Sequence, residues 1–153
     1  MDTVNIYITT TIRGPSKRQG GYGYVIEFIK KDGSSVTRSG VGYEEVTTEN
    51  RLVLIALKSA LKRLIKSCSI LVFTKCGHIL SSYKNGWILE WEKNSWTNAK
   101  GVKLSNWELW ESISELSTNH IIKFAEGNVD NPYEMWISGY IRKAEKEAKR
   151  DEK

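Results

Sequence analysis

The sequence predicts one α/β domain: a mixed sheet of five strands flanked by helices, in the order β-β-β-α-β-α-α-β-α. Three observations carry this. Residues between Val4 and Tyr43 alternate polar and apolar with the period of strands. After Thr47 the period switches to that of a helix. Ser69 to Thr74 is short, apolar and β-branched, as a central parallel strand should be. Strands followed by alternating helices and strands give a sheet covered by helices.

Each element has its own signal. Val4, Ile6 and Ile8 alternate with Asn5 and Tyr7 in the first strand. A loop of turn formers and cations follows, from Arg13 to Gly21. Tyr22 to Ile29 and Val36 to Tyr43 form a hairpin around Lys30-Lys31-Asp32-Gly33-Ser34, with Asp-Gly at its tip. Thr48 is the natural N-cap of a helix whose apolar stripe is Leu52, Ile55, Ala56, Ala60 and Leu64. Lys58, Lys62 and Lys66 read as its solvated face. Helical spacing resumes from His78 to Trp91 and from Asn106 to Leu116. His120 to Ala125 is a last strand, and Pro132 opens a C-terminal helix. The domain is expected over residues 1–145, with 146–153 a charged tail.

At 153 residues there is room for one core and not two. No run approaches the ~18 apolar residues of a membrane span. Met1-Asp2-Thr3-Val4 lacks the basic and apolar regions of a secretory signal, and the two cysteines lack C-x-x-C spacing, so a cytoplasmic protein with reduced thiols is expected. The net charge of +5 permits a polyanionic partner without demanding one. From Arg142 to Lys153, six Lys or Arg face four Asp or Glu, which places +2 of that charge in the tail.

Several motifs occur in one order: Val4-Asn5-Ile6-Tyr7-Ile8-Thr9, Gly20-Gly21-Tyr22-Gly23, Thr47-Thr48-Glu49-Asn50-Arg51, and the tryptophans Trp87, Trp91, Trp96 and Trp110. Together they resemble ribonuclease H of type 1, over roughly residues 3–145. The resemblance implies the ribonuclease H-like fold and hydrolysis of RNA in an RNA–DNA hybrid by magnesium or manganese ions held by four carboxylates. Such ions need clustered oxygen anions. The aligned positions are instead Thr9 (or Thr10), Val53, Lys75 and Ser138, and the family's loop histidine aligns with Asn128. Lys75 reverses the charge of the acid it replaces, and could fill the missing metal's role at a phosphate or pair with Glu49. Cys76 and His78 are too few to argue for zinc.

These losses lead to the expectation of a catalytically inactive protein, not an enzyme and without a metal cofactor, that binds RNA–DNA hybrid or duplex nucleic acid. The expected contacts are Thr48, Asn50, Arg51, Trp87, Trp91, Lys93, Lys100, Lys17 and Arg18. Trp91 and Trp96 also read as core anchors. Two alternatives stand beside this reading. One is a protein-interaction or assembly domain, motivated by Glu49 at a phosphate-contact position and by a basic protrusion diluted with Glu92, Asn94 and Thr97. The other is a divalent-metal-dependent hybrid endonuclease whose carboxylates have moved to Glu49, Asp130 and Glu134.

Overall fold

A computed structural model describes residues 1–127 and 129–151. The alternating segments form β1 (Asp2–Thr10), β2 (Arg18–Ile29) and β3 (Ser35–Thr47), followed by helix α1 (Glu49–Leu61) and β4 (Cys68–Phe73). Then come α2 (Gly77–Lys84), α3 (Trp87–Lys93), α4 (Trp107–Leu116), β5 (Ile121–Phe124) and α5 (Glu134–Asp151). The strands make one sheet in the order β3-β2-β1-β4-β5. β1 runs antiparallel to β2 and parallel to β4, so the C-terminal ends of β1 and β4 meet at one edge. Among the described residues, no helix is long and apolar enough to cross a membrane.

The two faces of the sheet are covered unequally. α1 and α4 close the larger core over Ile6, Ile26, Ile70 and Val72, with Leu54, Leu57 and Trp110 packed between them. α5 covers the other face through Ile137, against Tyr7 and Val25. The Gly20–Gly23 motif has its reason here. A Cβ at Gly23 would lie 2.6 Å from Ile137 Cγ1, so the bare backbone is what lets α5 seat. Gly23→Ala is therefore expected to cost about 1–3 kcal/mol by overpacking, read as a lower urea midpoint with unchanged slope.

Local details depart from the sequence expectation. The single helix expected from His78 to Trp91 is two, broken at Asn85 and Gly86, because Gly86 takes a left-handed conformation (φ 72°) that ends α2. Pro132 lies in the turn before α5, which begins at Glu134. Asn131 acts as the cap: its Oδ1 accepts from the Tyr133 N–H at 3.0 Å. The helix continues through Asp151, so most of the stretch read as a tail is helical.

Candidate functional site

A cleft of about 310 Å³ opens where β1 and β4 end, lined among others by Thr9, Thr10, Arg13, Lys75, Asn131 and Glu134. Parallel pairing places Tyr7 beside Phe73, so the residues that follow each strand emerge side by side. Thr9 is buried, and its Oγ1 accepts from Asn131 Nδ2 at 3.1 Å, which ties the start of α5 to the end of β1. Tyr133, the next anchor of α5, donates its hydroxyl to Glu27 and meets Tyr7 edge-on at 5.3 Å.

Burial first, and the Glu27 carboxylate second, push the Tyr133 hydroxyl up to about 12. A phenol whose folded value is raised contributes stability that is fully present below its unfolded value of about 10 and lost as pH rises toward 12. Wild-type stability is expected to fall across that alkaline window. The Tyr133→Phe variant should show a shallower fall in urea melts taken at stepped pH, and equal slopes would refute the role of this phenol.

The cleft holds one carboxylate among its described lining residues, Glu134. Both its oxygens accept from Lys75 Nζ, at 3.0 and 2.9 Å. Lys75 thus pairs with Glu134 rather than Glu49. Glu49 sits behind Arg13, its side chain only 10% exposed, accepting from Arg13 Nη1 at 3.1 Å and from the Gly14 N–H at 3.0 Å.

The remaining aligned positions do not converge on the cleft. Val53 is 1% exposed within the larger core. Ser138 lies one turn beyond Glu134 on the same flank of α5, outside the lining residues. Asn128 lies outside the described residues. Of the four degenerate positions, Thr9 and Lys75 are the ones brought together.

Thr48, Asn50 and Arg51 are engaged in holding the fold. Thr48 caps α1 by accepting from the Arg51 N–H at 3.3 Å. Arg51 donates Nε to Glu44 at 3.0 Å and Nη1 to Asn106 at 3.3 Å. Asn50 Oδ1 accepts from the Cys76 thiol at 3.0 Å, and burial pushes that thiol up from its ordinary value. Trp91 packs against Trp110 (5.8 Å), while Trp96 is buried and stacked on Trp110 (6.1 Å), so both anchor the core. Trp87 is 43% exposed on α3. Lys93, Lys100, Lys17 and Arg18 are exposed, and Arg18 Nη2 donates to the Arg13 carbonyl at 2.6 Å.

Sequence reasoning placed Arg13 in a basic loop without seeing that it lines the cleft, and missed Asn131 altogether. The Asn131-Pro132 pair carries a capping signal, asparagine before proline at a helix start. Nothing local to Asn131 announces its bond to Thr9, 122 residues away in sequence.

The family's divalent ions find no ligand set in these residues. Two hydroxyls, an alkyl group and an ammonium stand at the aligned positions, and Glu49 and Glu134 are both spent on cations. Among the described residues, no three His, Cys, Asp or Glu side chains come together to hold a metal ion.

A sequence profile described as RNase H matches residues 2–126, ending before α5. A protein named Ribonuclease H from Chlorobium luteolum is 32% identical over 144 residues, spanning 92% of this chain and 94% of its own. One from Thermoanaerobacter sp. is 31% identical over 137 residues, spanning 87% and 83%. Among solved structures, LC9-RNase H1, a type 1 RNase H with the type 2 active-site motif, superposes with a TM-score of 0.70 at 19% identity, covering 91% of this chain and 70% of that one. A foamy viral protease-reverse transcriptase solved with an RNA/DNA hybrid superposes at 0.60 and 18% identity, over 94% of this chain and 19% of that one. The fold expected from the sequence is the one observed.

The same kinship overturns the expectation of a catalytically inactive, non-enzymatic protein. Relatives alignable across nearly the whole chain are named Ribonuclease H, which points to an active enzyme rather than an inactive one. This chain belongs to the ribonuclease H family.

Proposed function

We propose that the protein acts as a ribonuclease H on RNA–DNA hybrid, with the backbone of the RNA strand seated over the cleft at the ends of β1 and β4. The observation that carries this reading is the relationship to Chlorobium luteolum Ribonuclease H over 92% of this chain and 94% of that one. The electrostatics of the cleft support it. Lys75 and Arg13 both reach the lining: Lys75 is held by Glu134, a partly exposed carboxylate that a phosphate can replace, and Arg13 keeps donors to spare beside its bond to buried Glu49. Exposed Trp87, Lys93 and Lys100 are assigned to one outlying stretch of hybrid, and Lys17 and Arg18 to another, mostly through phosphates. Thr48, Asn50 and Arg51 act indirectly, by fixing the start of α1.

The chemistry available to these side chains is limited and specific. A phosphodiester that takes Lys75 releases Glu134 as a free carboxylate beside it. Glu134 can accept the proton of a water whose oxygen bonds to phosphorus. The bond from phosphorus to the leaving sugar oxygen breaks, and that oxygen is protonated from solvent. The two cysteines are buried and not joined in a disulfide, which suits a reducing cytoplasm.

The test is cleavage of a hybrid labelled on its RNA strand, with magnesium, with manganese and with excess chelator. RNA-strand products above a protein-free control are expected. Their absence in all three conditions overturns the reading.

A further inference from the structure

We propose that Lys75 stands in for the missing divalent ions, making the cleft a metal-independent seat for a phosphodiester that Glu134 occupies as an internal competitor. The inference rests on the hybrid reading and names what holds the phosphate. Three observations carry it.

The first is the charge of the cleft. Its described lining includes two cations, Arg13 and Lys75, against one carboxylate, Glu134. Glu49 offsets Arg13 from behind the lining, so the local field is set by the Lys75 ammonium, which attracts an anion and repels a divalent cation once Glu134 moves aside. Position 75 matters most, because an ammonium there would face any ion bound between the ends of β1 and β4.

The second is the geometry of the pair. Lys75 Nζ lies 3.0 and 2.9 Å from the two oxygens of one carboxylate, the arrangement in which a tetrahedral phosphate can present two oxygens of its own. The two side chains are 52% and 35% exposed, so water reaches them and exchange needs no unfolding. An exposed ion pair of this kind contributes little to stability, which leaves Glu134 displaceable.

The third is the support around the seat. The Arg13 guanidinium carries five N–H donors, so its bond to Glu49 leaves others for an anion. Glu49 holds it in place through a side chain only 10% exposed, while Arg13 itself is 52% exposed. Thr9 is fixed by Asn131 at 3.1 Å, and Thr10 and Thr74 add further hydroxyls to the lining.

Fluorescence anisotropy of a labelled hybrid, in excess chelator and in millimolar magnesium, tests the seat. Wild-type affinity is expected to agree within about twofold between the two conditions. Glu134→Gln should tighten binding severalfold by removing the competitor. Lys75→Met should weaken it about tenfold and flatten the salt dependence by about one unit of slope. Thermal melts of both variants verify folding, which exposed side chains should leave intact. A second arm titrates inorganic phosphate, followed by chemical-shift changes at the Lys75 ammonium.

Affinity that rises tenfold or more with magnesium overturns the seat, as does Glu134→Gln binding more weakly than wild type. Neither result touches the hydrolytic reading, provided the hybrid is cut. A hybrid that is neither bound nor cut, with inorganic phosphate still shifting Lys75, overturns the hydrolytic reading and leaves the seat standing. Phosphate that fails to shift Lys75 while the hybrid binds equally well to Lys75→Met overturns the seat alone.

Discussion

Glu134→Gln is expected to lower the rate of RNA-strand cleavage by about 10²- to 10⁴-fold, the range a positioned general base supplies. Glu134 is the one carboxylate among the described lining residues of the cleft, and glutamine keeps its shape while removing the proton acceptor. The same change frees Lys75, whose ammonium is otherwise bound to both Glu134 oxygens. KM and kcat should therefore move in one direction, the variant binding hybrid more tightly and turning it over more slowly. Single-turnover cleavage at saturating protein separates the two effects. Glu134→Asp, which keeps a carboxylate, should recover part of the rate. A Glu134→Gln rate equal to wild type would remove Glu134 from the chemistry.

Val53→Glu, which restores an acid at the family's second position, is expected to destabilise the fold by about 3 kcal/mol or more rather than rebuild a metal site. Val53 is 1% exposed and packs with Leu54, Leu57 and Ile79 in the larger core. A carboxylate there would be desolvated without a partner, a cost of several kcal/mol that the group reduces by holding its proton. The pH dependence follows. The buried carboxyl would titrate above its unfolded value of about 4.3, so the ionic part of the loss is absent below that pH and grows as pH rises through the folded value. Urea melts of the variant at acid and neutral pH should differ by more than those of wild type. A variant as stable as wild type at neutral pH, with a magnesium-induced shift in melting, would show that the position still opens onto the cleft.

The two results concern positions that look alike in the sequence, each at or beside a place where the family carries an acid, and that the fold treats in opposite ways. Glu134 lies four residues before the aligned Ser138, and it is the capped start of α5 by Asn131 that delivers it to the cleft. Val53 occupies its aligned position, yet its side chain turns into the core with Ala56 and Leu57. Alignment names positions along a chain and does not say which way a side chain faces.

The strands and α1 were legible because their signals are local. Alternation from Val4 to Ile8, the Asp-Gly tip of the hairpin and Thr48 before a helical stripe each need only a few neighbouring residues. The break between α2 and α3 was not, because apolar spacing continues across Gly86 and only its left-handed backbone ends the helix. Glu49 could be read as a capping residue or a moved ligand, whereas in the fold its two oxygens accept from Arg13 and from the Gly14 N–H, partners 36 and 35 residues away in sequence.

The sequence by itself determined the order of the strands and the resemblance to the ribonuclease H family, since periodicity and motif spacing are properties of the chain alone. Only the tertiary structure decided which charge meets which. Lys75 and Glu134 are 59 residues apart, and Arg13 and Glu49 are 36 apart. Each pair forms because parallel pairing of β1 with β4 and the docking of α1 and α5 bring distant segments to one edge of the sheet. Coulomb interactions act over distances in space, which the chain sets only once it has folded.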